Sequence, residues 1–519
     1  MNILVFHFKE SFQIELLNRI IANRPNDTFY LFWESPGLEK RPNVIDKSTD
    51  FLTLLTGKEL SFKFSELLPL DNSTLVKLSP YEYMSKRILQ RYVTLGYLNK
   101  FFRRPRKGLL SVMDSIHTTL GDNASSFVLS FDELHNHYMN FLRYWVDFYA
   151  KNKVDCILAD QLPHNGLDYI SYAVSLNYKV RYVFGHFIPI WGNQVFYDGF
   201  TVEQRFLDAL SKNKQVYSNK TVVFDSDFQQ EINKIRGINN ETKYGHWAGD
   251  FKLHKKLWDE LSEWKQKILT SHVEKIGKHD FQDSFFYRIL NYIIFKSMSL
   301  FVPKKKYEAS LQALISSLAV TPDLSKKYIY FPLHYQSEAS SQPLGGYYER
   351  QLLIIEQLSS LSEMGYMVYV KEHNKISTPT NRDALFYKRI KSLSNTILVN
   401  DKYSSIELIN NSIAVATISG TAGWEAFVIG KAILLFGFNL LVAAEKGVYK
   451  IDSSEDLNSA IDDIFNRYKP DYPYIDIFLK TIEETYPKVA TERYVFMRSN
   501  ITLDDWCETL EREFLKRLN

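Results

Sequence analysis

The sequence predicts an α/β protein of two domains, and three observations carry that expectation. Short apolar runs that break into small and hydrogen-bonding residues recur in both halves of the chain. Helix-patterned segments follow several of them, as strand-helix-strand units require. At 519 residues the chain is too long for one ordinary core, so two domains of about 200–300 residues each are expected.

Taken in order, the first half opens with a strand over 3–6, a helix over 11–22 and a second strand over 28–33, a βαβ unit. Residues 50–150 are rich in helix-forming and aromatic residues and poor in strand alternation, which reads as a helical insertion. Strand patterns resume over 154–159 and 180–184. Between them Asp160, His164 and Asp168 gather at a strand's carboxyl end and at the start of the following helix. A carboxylate there can act as base or nucleophile, with His164 in reserve. The structural alternative gives Asp168 or Asn165 to helix capping, Pro163 to the turn and His164 to the surface. Gly185 and His186 repeat the placement after the next strand. Residues 200–325 read as a second insertion and the connection between domains.

The second half repeats one arrangement three times. An apolar strand over 328–333 runs into His334, Gln336, Glu338, Ser340 and Ser341; another over 367–370 runs into Lys371, Glu372 and His373. A third over 412–418 opens into Ser419-Gly-Thr-Ala-Gly423, followed by a helix over 424–429 closed by Gly430. Small residues before a helix start let backbone N–H groups approach an anion, and the hydroxyls of Ser419 and Thr421 can add bonds, so a phosphate is expected there. Read structurally, the same loop is a tight turn packing a helix on a sheet, and His373 is a satisfied strand-end residue. Neighbouring parallel strands would converge three such loops on one crevice. A strand over 432–436, a helix over 454–468 and an amphipathic terminal helix over 502–518 complete the pattern.

Hydrophobic content of 45% and aromatic content of 15% place the chain among globular proteins. A net charge of +3 argues against a general nucleic-acid binder. Cys156 and Cys507 lie far apart without metal-ligand spacing, and a reducing cytoplasm is the expected compartment. The opening residues lack the order of a signal peptide, and no apolar run reaches the ~18 residues of a membrane span. Two basic and aromatic clusters, over 101–107 and 285–306, read either as packing helices with solvated ends or as contacts to a membrane surface.

Four segments, Phe331-Pro-Leu-His-Tyr-Gln-Ser-Glu-Ala-Ser340, Pro343-Leu-Gly-Gly-Tyr-Tyr348 with Gln351, Val370-Lys-Glu-His373, and Ser419-Gly-Thr-Ala-Gly-Trp-Glu-Ala426 with Gly430-Lys431, resemble the bacterial capsule polysaccharide biosynthesis family, which includes β-Kdo transferases that use CMP-Kdo. The resemblance covers residues 326–440. It implies a GT-B-like α/β glycosyltransferase, two Rossmann-like domains facing a central crevice with helical insertions in the first. Residues 1–320 would form the acceptor-side domain and 321–490 the donor domain, with the terminal helix, 491–519, returning to the first. Under this resemblance Ser419, Gly420, Thr421 and Gly423 hold the donor phosphate, and Lys371 and His373 face the nucleotide phosphate or the leaving group. Glu425 accepts from a ribose hydroxyl, while His334, Gln336 and Glu338 line the crevice. Asp160, His164 and Glu338 are the catalytic candidates. Asn374 stands where families using CMP-activated sugars carry proline. The implied partners are a nucleotide-sugar donor, CMP-linked as first choice, and a glycan or glycolipid acceptor at the inner face of the cytoplasmic membrane, with no cofactor, no metal and no nucleic acid. Other donors, such as a CDP-polyol or phosphoribosyl pyrophosphate, and a non-catalytic nucleotide- or glycan-binding role in capsule assembly are the alternatives.

Overall fold

The computed structural model describes residues 1–8, 11–32, 38, 41–47, 131–163, 166–188, 192–237, 304–334, 341, 344–373, 382, 384–400, 403–489, 491 and 501–519. Its architecture is two six-stranded sheets with helices packed on them. The first sheet contains β1 (Asn2–Phe6), β2 (Thr28–Leu31), β3 (Val44–Asp46), β4 (Cys156–Ala159), β5 (Arg181–Phe187) and β6 (Gln194–Asp198), in the order β3-β2-β1-β4-β5-β6. All its pairings are parallel except β5 with β6. The second contains β7 (Tyr328–Pro332), β8 (Met367–Lys371), β9 (Thr396–Val399), β10 (Ala414–Thr417), β11 (Ala432–Leu435) and β12 (Val448–Lys450). Its order, β12-β11-β10-β7-β8-β9, is the same winding read from the other edge. Both sheets therefore reverse direction between their first and fourth strands, at β1 and β4 and at β7 and β10. In an open α/β sheet the carboxyl side of that reversal is where ligands bind.

The central strands are largely apolar because helices cover both faces, with Thr417 at the end of β10 the buried polar exception. Ile3, Leu4 and Val5 of β1, Cys156–Ala159 of β4 and Ala414–Thr417 of β10 have essentially no exposure. The covering helices include α1 (Ser11–Ala22), α2 (Phe131–Asn152) and α3 (Gly166–Asn177) in the first domain. Trp145 of α2 packs against Phe6 and Phe32, with ring centroids 5.6 and 4.8 Å away.

Helices tie the halves together. α4 (Gln204–Val216) and α5 (Ser226–Ile235) follow the first sheet, and α6 (Lys304–Leu318) leads to the second. The second is flanked by α7 (Gln351–Ser360), α8 (Ala384–Ser392), α9 (Ser405–Asn411), α10 (Thr421–Ile429) and α11 (Ser454–Asn466). The chain then returns through α12 (Tyr472–Thr485), which lies along α4: Phe206 packs on Phe478 and stacks on Tyr486, and Asn213 donates to Glu484 at 2.9 Å. The last helix, α13 (Leu503–Leu518), packs on α1, with Trp506 against Phe12 and Phe514 against Phe8 and Phe196. Its first turn is capped by the Thr502 hydroxyl, which accepts from Asp505 N at 3.1 Å. Arg236, just after α5, donates to Asp476 at 2.7 Å and to the Val428 carbonyl at 3.1 Å, linking α12 to α10.

The sequence pattern falls on these elements with short shifts at their ends. The strand expected over 412–418 forms only over Ala414–Thr417, and the helix expected from 424 begins three residues earlier, at Thr421. β3, β6, β9 and β12 were not anticipated. Of the helical insertion expected over 50–150, residues 50–130 lie outside the described residues and the remainder is helical, within α2; the basic and aromatic clusters over 101–107 and 285–306 also lie outside them, apart from Lys304–Lys306 at the start of α6.

Candidate functional site

At the reversal point of the second sheet, β7 ends before His334 and β10 ends before Ser419. The two strands pair through Ile329 with Ala414 and Tyr330 with Val415, so their outgoing chains lie side by side. His334 is buried, and its backbone and ring Nε2 are hydrogen-bonded. Its N–H donates to Gln351 Oε1 at 2.8 Å and the Gln351 amide returns a bond to its carbonyl at 3.1 Å. The ring Nε2 accepts from Gly420 N at 3.2 Å and lies 3.0 Å from the Thr417 hydroxyl, which also accepts from Gly420 N at 3.1 Å. Accepting at Nε2 places the ring proton on Nδ1. Burial, with the nearby charges of Arg382 and His373, pushes its pKa down to about 3, so the ring is neutral at physiological pH.

This contact explains Gly420. A Cβ there would lie 2.8 Å from His334 Nε2, so only glycine lets the imidazole reach the start of α10. Gly423 is as tight, since a Cβ would meet Thr417 Cγ2 at 2.9 Å. Thr421 is exposed at the first position of the helix and Ser419 is half-buried, its carbonyl accepting from Asn439 at 3.3 Å. The first-turn amides of a helix have no intrahelical acceptor and carry the positive end of its dipole.

Glu425 stands one turn into α10. Burial alone raises its carboxyl to about 7, and it is close enough to the Tyr330 hydroxyl for its charge to raise that group's pKa as well. A carboxyl poised near neutrality by burial is a functional candidate.

The loop after β8 divides its residues. Lys371 is buried, and its Nζ donates to the Tyr403 carbonyl at 2.5 Å and to Ser405 Oγ at 3.2 Å, so the ammonium holds the start of α9. Glu372 is equally buried. One of its oxygens accepts from Arg382 at 2.6 Å and from His373 N at 2.7 Å, and the other accepts from the Tyr387 hydroxyl. Arg382 also donates to the His334 carbonyl and lies over the Phe386 ring at 5.4 Å. Glu372, Arg382, Tyr387, Gln351 and Thr417 thus form the setting of His334. None was proposed for a role from sequence. Gln351 and Glu372 lie within the segments that carry the resemblance, whereas Arg382 stands beyond a loop with no motif to announce it.

At the reversal point of the first sheet, Phe6 pairs with Ala159, and the next residues are His7 and Asp160. Both are buried. Asp160 Oδ2 accepts from Gln13 Nε2 at 2.5 Å and its carbonyl accepts from the Thr491 hydroxyl at 2.8 Å. Thr491 N in turn donates to Gln194 Oε1 at 2.9 Å, so the returning chain crosses this edge of the first sheet. Asp168, in the first turn of α3, pairs with Nε2 of His7. Residues His164, Gln336 and Glu338 lie outside the described residues. Among the described residues, no group of three or more histidine, cysteine or carboxylate side chains is arranged to hold a metal ion, and no helix is long and apolar enough to cross a membrane.

Two domains of Rossmann strand order, joined by helices that return from the second to the first, define a GT-B-like protein. No protein-family model matches the sequence, and no curated protein matches it. Solved structures resemble it weakly. A UDP-GlcNAc 2-epimerase from Methanocaldococcus jannaschii is 12% identical, with 91% of this chain and 94% of that one covered and a TM-score of 0.24. The KpsC β-Kdo 2,7 transferase of Thermosulfurimonas dismutans is 11% identical over 68% of this chain and 80% of that one, TM-score 0.29. A glycosyltransferase from Rickettsia africae is 11% identical over 98% of each, TM-score 0.26. At these values the likeness adds nothing to the fold already read from the strand order.

Proposed function

We propose that this protein is a glycosyltransferase of bacterial surface-polysaccharide assembly that takes its sugar from a nucleotide donor, with Kdo from CMP-Kdo as first choice. The observation that carries the reading is the second reversal point, where neutral His334 and Thr417 fix the backbone at Gly420 and Thr421 is exposed at the start of α10. The donor phosphate would rest on Ser419 to Gly423, where helix amides and hydroxyls meet the charge of the leaving group without a cation. Glu425 would accept from a ribose hydroxyl. His373 stands at the same edge, while Lys371 acts from behind, through the start of α9. The first domain would bind a glycan or glycolipid acceptor, and the edge at β1 and β4, with Asp160, would supply the acceptor-side chemistry. The reaction would take place on the inner side of the cytoplasmic membrane.

A panel of CMP, CDP, UDP and phosphoribosyl pyrophosphate tested for thermal stabilisation decides the donor class. CMP is expected to stabilise most, and Ser419→Ala with Thr421→Val to weaken it, since charge-assisted hydrogen bonds contribute roughly 1.5–3 kcal/mol each. Stabilisation by none of the four would reject the donor site. A protein that binds CMP yet never releases it from CMP-Kdo in the presence or absence of acceptor would be a binding protein instead.

A further inference from the structure

Where the chain returns from the second sheet to the first, side chains fasten it to the carboxyl edge of the first sheet. α12 is anchored to the second domain: Tyr472 donates to the Ile429 carbonyl at 2.9 Å, the Tyr474 hydroxyl accepts from Glu445 N at 2.7 Å, and Phe478 meets Phe427 of α10 at 5.1 Å. Beyond α12, Tyr486, Pro487 and Thr491 lie on the first domain. Asn193 donates to the Tyr486 carbonyl at 2.9 Å and Gln194 N to the Pro487 carbonyl at 3.0 Å, beside the start of β6. At Thr491 the Gln194 side chain takes over from the backbone, its Oε1 accepting from Thr491 N at 2.9 Å. The Thr491 hydroxyl donates to the Asp160 carbonyl at 2.8 Å, and the Thr491 carbonyl accepts from Gln13 Nε2 at 3.0 Å. Asn193, Gln194 and Thr491 are all buried. The same arrangement accounts for Gly185. Gln194 pairs with Phe187, so its side chain shares a face with Gly185, two residues back along β5. A Cβ at Gly185 would stand 1.7 Å from Gln194 Nε2 and 2.9 Å from its Cδ, so glycine leaves the lane in which the amide lies.

We infer that the Gln194 amide, lodged over Gly185, is an interdomain latch: it pins the returning segment to the carboxyl edge of the first sheet and so limits how far the two domains move relative to each other across the crevice. The four side-chain bonds join residues at least 293 positions apart in the chain, so none of them is a product of local folding. The other crossing of the chain, from β6 to α4, runs beside this one, with Phe206 of α4 stacked on Tyr486. Hinge motion is absorbed at a few residues at the ends of elements. Two crossings tied together resist it, and releasing one of them frees it. A latch of this kind acts whatever the crevice binds, so its failure and that of the transferase reading are separate outcomes.

The test measures the distance between the domains in the full-length protein, by pulsed electron paramagnetic resonance between spin labels on Asn177→Cys, at the end of α3, and Ser459→Cys, on α11. Both positions are exposed, and both native cysteines are buried. Gln194→Met keeps the volume of the side chain and removes the acceptor. It is expected to stay folded and to shift or broaden the distance distribution by at least about 2 Å, the scale of helix shifts between discrete states. Gly185→Ala should do the same by displacing the amide, which is the end of a flexible side chain, and should add nothing in a Gln194→Ala background, where no amide remains to be displaced. A merely structural role would lower the melting temperature and leave the distance where it is. A wild-type distribution in folded Gln194→Met, or a Gly185→Ala effect as large in the Gln194→Ala background as in wild type, overturns the latch. Should Gln194→Met not fold, Thr491→Val decides in its place: it removes the bond to the Asp160 carbonyl and is expected to broaden the distribution in the same way, and an unchanged distribution overturns the latch.

Discussion

Glu425 is the residue whose chemistry is most exposed to a pH experiment. Its carboxyl is raised by burial to about 7 from an ordinary 4.5, so it is ionised above neutrality and protonated below. A ribose hydroxyl donates best to the ionised form. Nucleotide affinity is therefore expected to weaken as pH falls from 8 to 6, and Glu425→Gln to flatten that dependence; calorimetry with CMP at the two pH values would show parallel slopes in both proteins if the carboxyl does not touch the nucleotide. Stability carries the opposite sign. Between 4.5 and 7 the folded protein holds a proton that the unfolded chain has released, so ionisation of Glu425 costs stability as pH rises through that window. That cost is at most about 3 kcal/mol. Glu425→Gln should accordingly unfold at higher denaturant than wild type at pH 8 and at the same concentration near pH 4.5. Gly420→Ala tests the adjoining contact: its Cβ would press on His334 at 2.8 Å, at a cost of about 1–3 kcal/mol, and melting of the purified variant measures it. The strand-to-helix junction at Ser419 and Gly420 was legible from sequence, although Thr421 to Gly423 already belong to α10. Arg382 was not, since a buried ion pair is made by the fold, between residues whose identities say only that they are charged.

Among the elements, α13 carries the clearest electrostatic liability. Glu513 is buried on it between Arg517, Lys516 and Arg205, and Arg517 reaches Glu203 just before α4. Burial alone would raise the Glu513 carboxyl, but the hydrogen bonds from Lys516 and Arg517 outweigh it and bring the pKa down to about 2. A depressed carboxyl stabilises the fold above its unfolded value of 4.5, and that contribution is lost as pH falls toward 2. Glu513→Gln is expected to cost up to about 3 kcal/mol at pH 7, with the difference from wild type closing in acid. Urea titrations at pH 7 and pH 3 measure both; an equal loss at the two pH values would mean packing, not charge, fixes the helix. The main elements were legible where one period dominates: α1 has an apolar stripe and β1 an unbroken apolar run. The edge strands were not. β3 and β12 span only three residues, too few for a period to register, and β6 carries polar Gln194 and Asp198 at its ends. They form because a neighbouring strand offers a ladder, information that lies elsewhere in the chain.

At the scale of the molecule, the connections make one unit of two sheets. A single buried apolar cluster runs from Ile3 of β1 through Phe206 of α4 and Phe478 of α12 to Trp424 of α10 and Ile433 of β11. Phe438, beyond β11, packs on Tyr197 and Phe200 of the first domain at 5.3 and 5.9 Å, and Lys214 of α4 holds Glu445 at 2.6 Å. That the chain builds two sheets was legible from length and from the repeated strand-to-loop pattern, but this sharing of a core was not, because it depends on α12 and α13 folding back across the chain. Its consequence is that a nucleotide bound to the second domain should stabilise the first. A ligand at ~100 times its dissociation constant adds roughly 2.7 kcal/mol. Unfolding entropy of about 2.1 cal/mol/K per residue gives about 1.1 kcal/mol/K for this length, so the whole transition should move by about 2–3 °C. Calorimetric scans with and without CMP are expected to show one transition that shifts as a unit, and His334→Ala to keep the single transition while losing the shift. Two resolved transitions, of which only one responds to CMP, would mean that the domains unfold separately and that the shared cluster does not couple them.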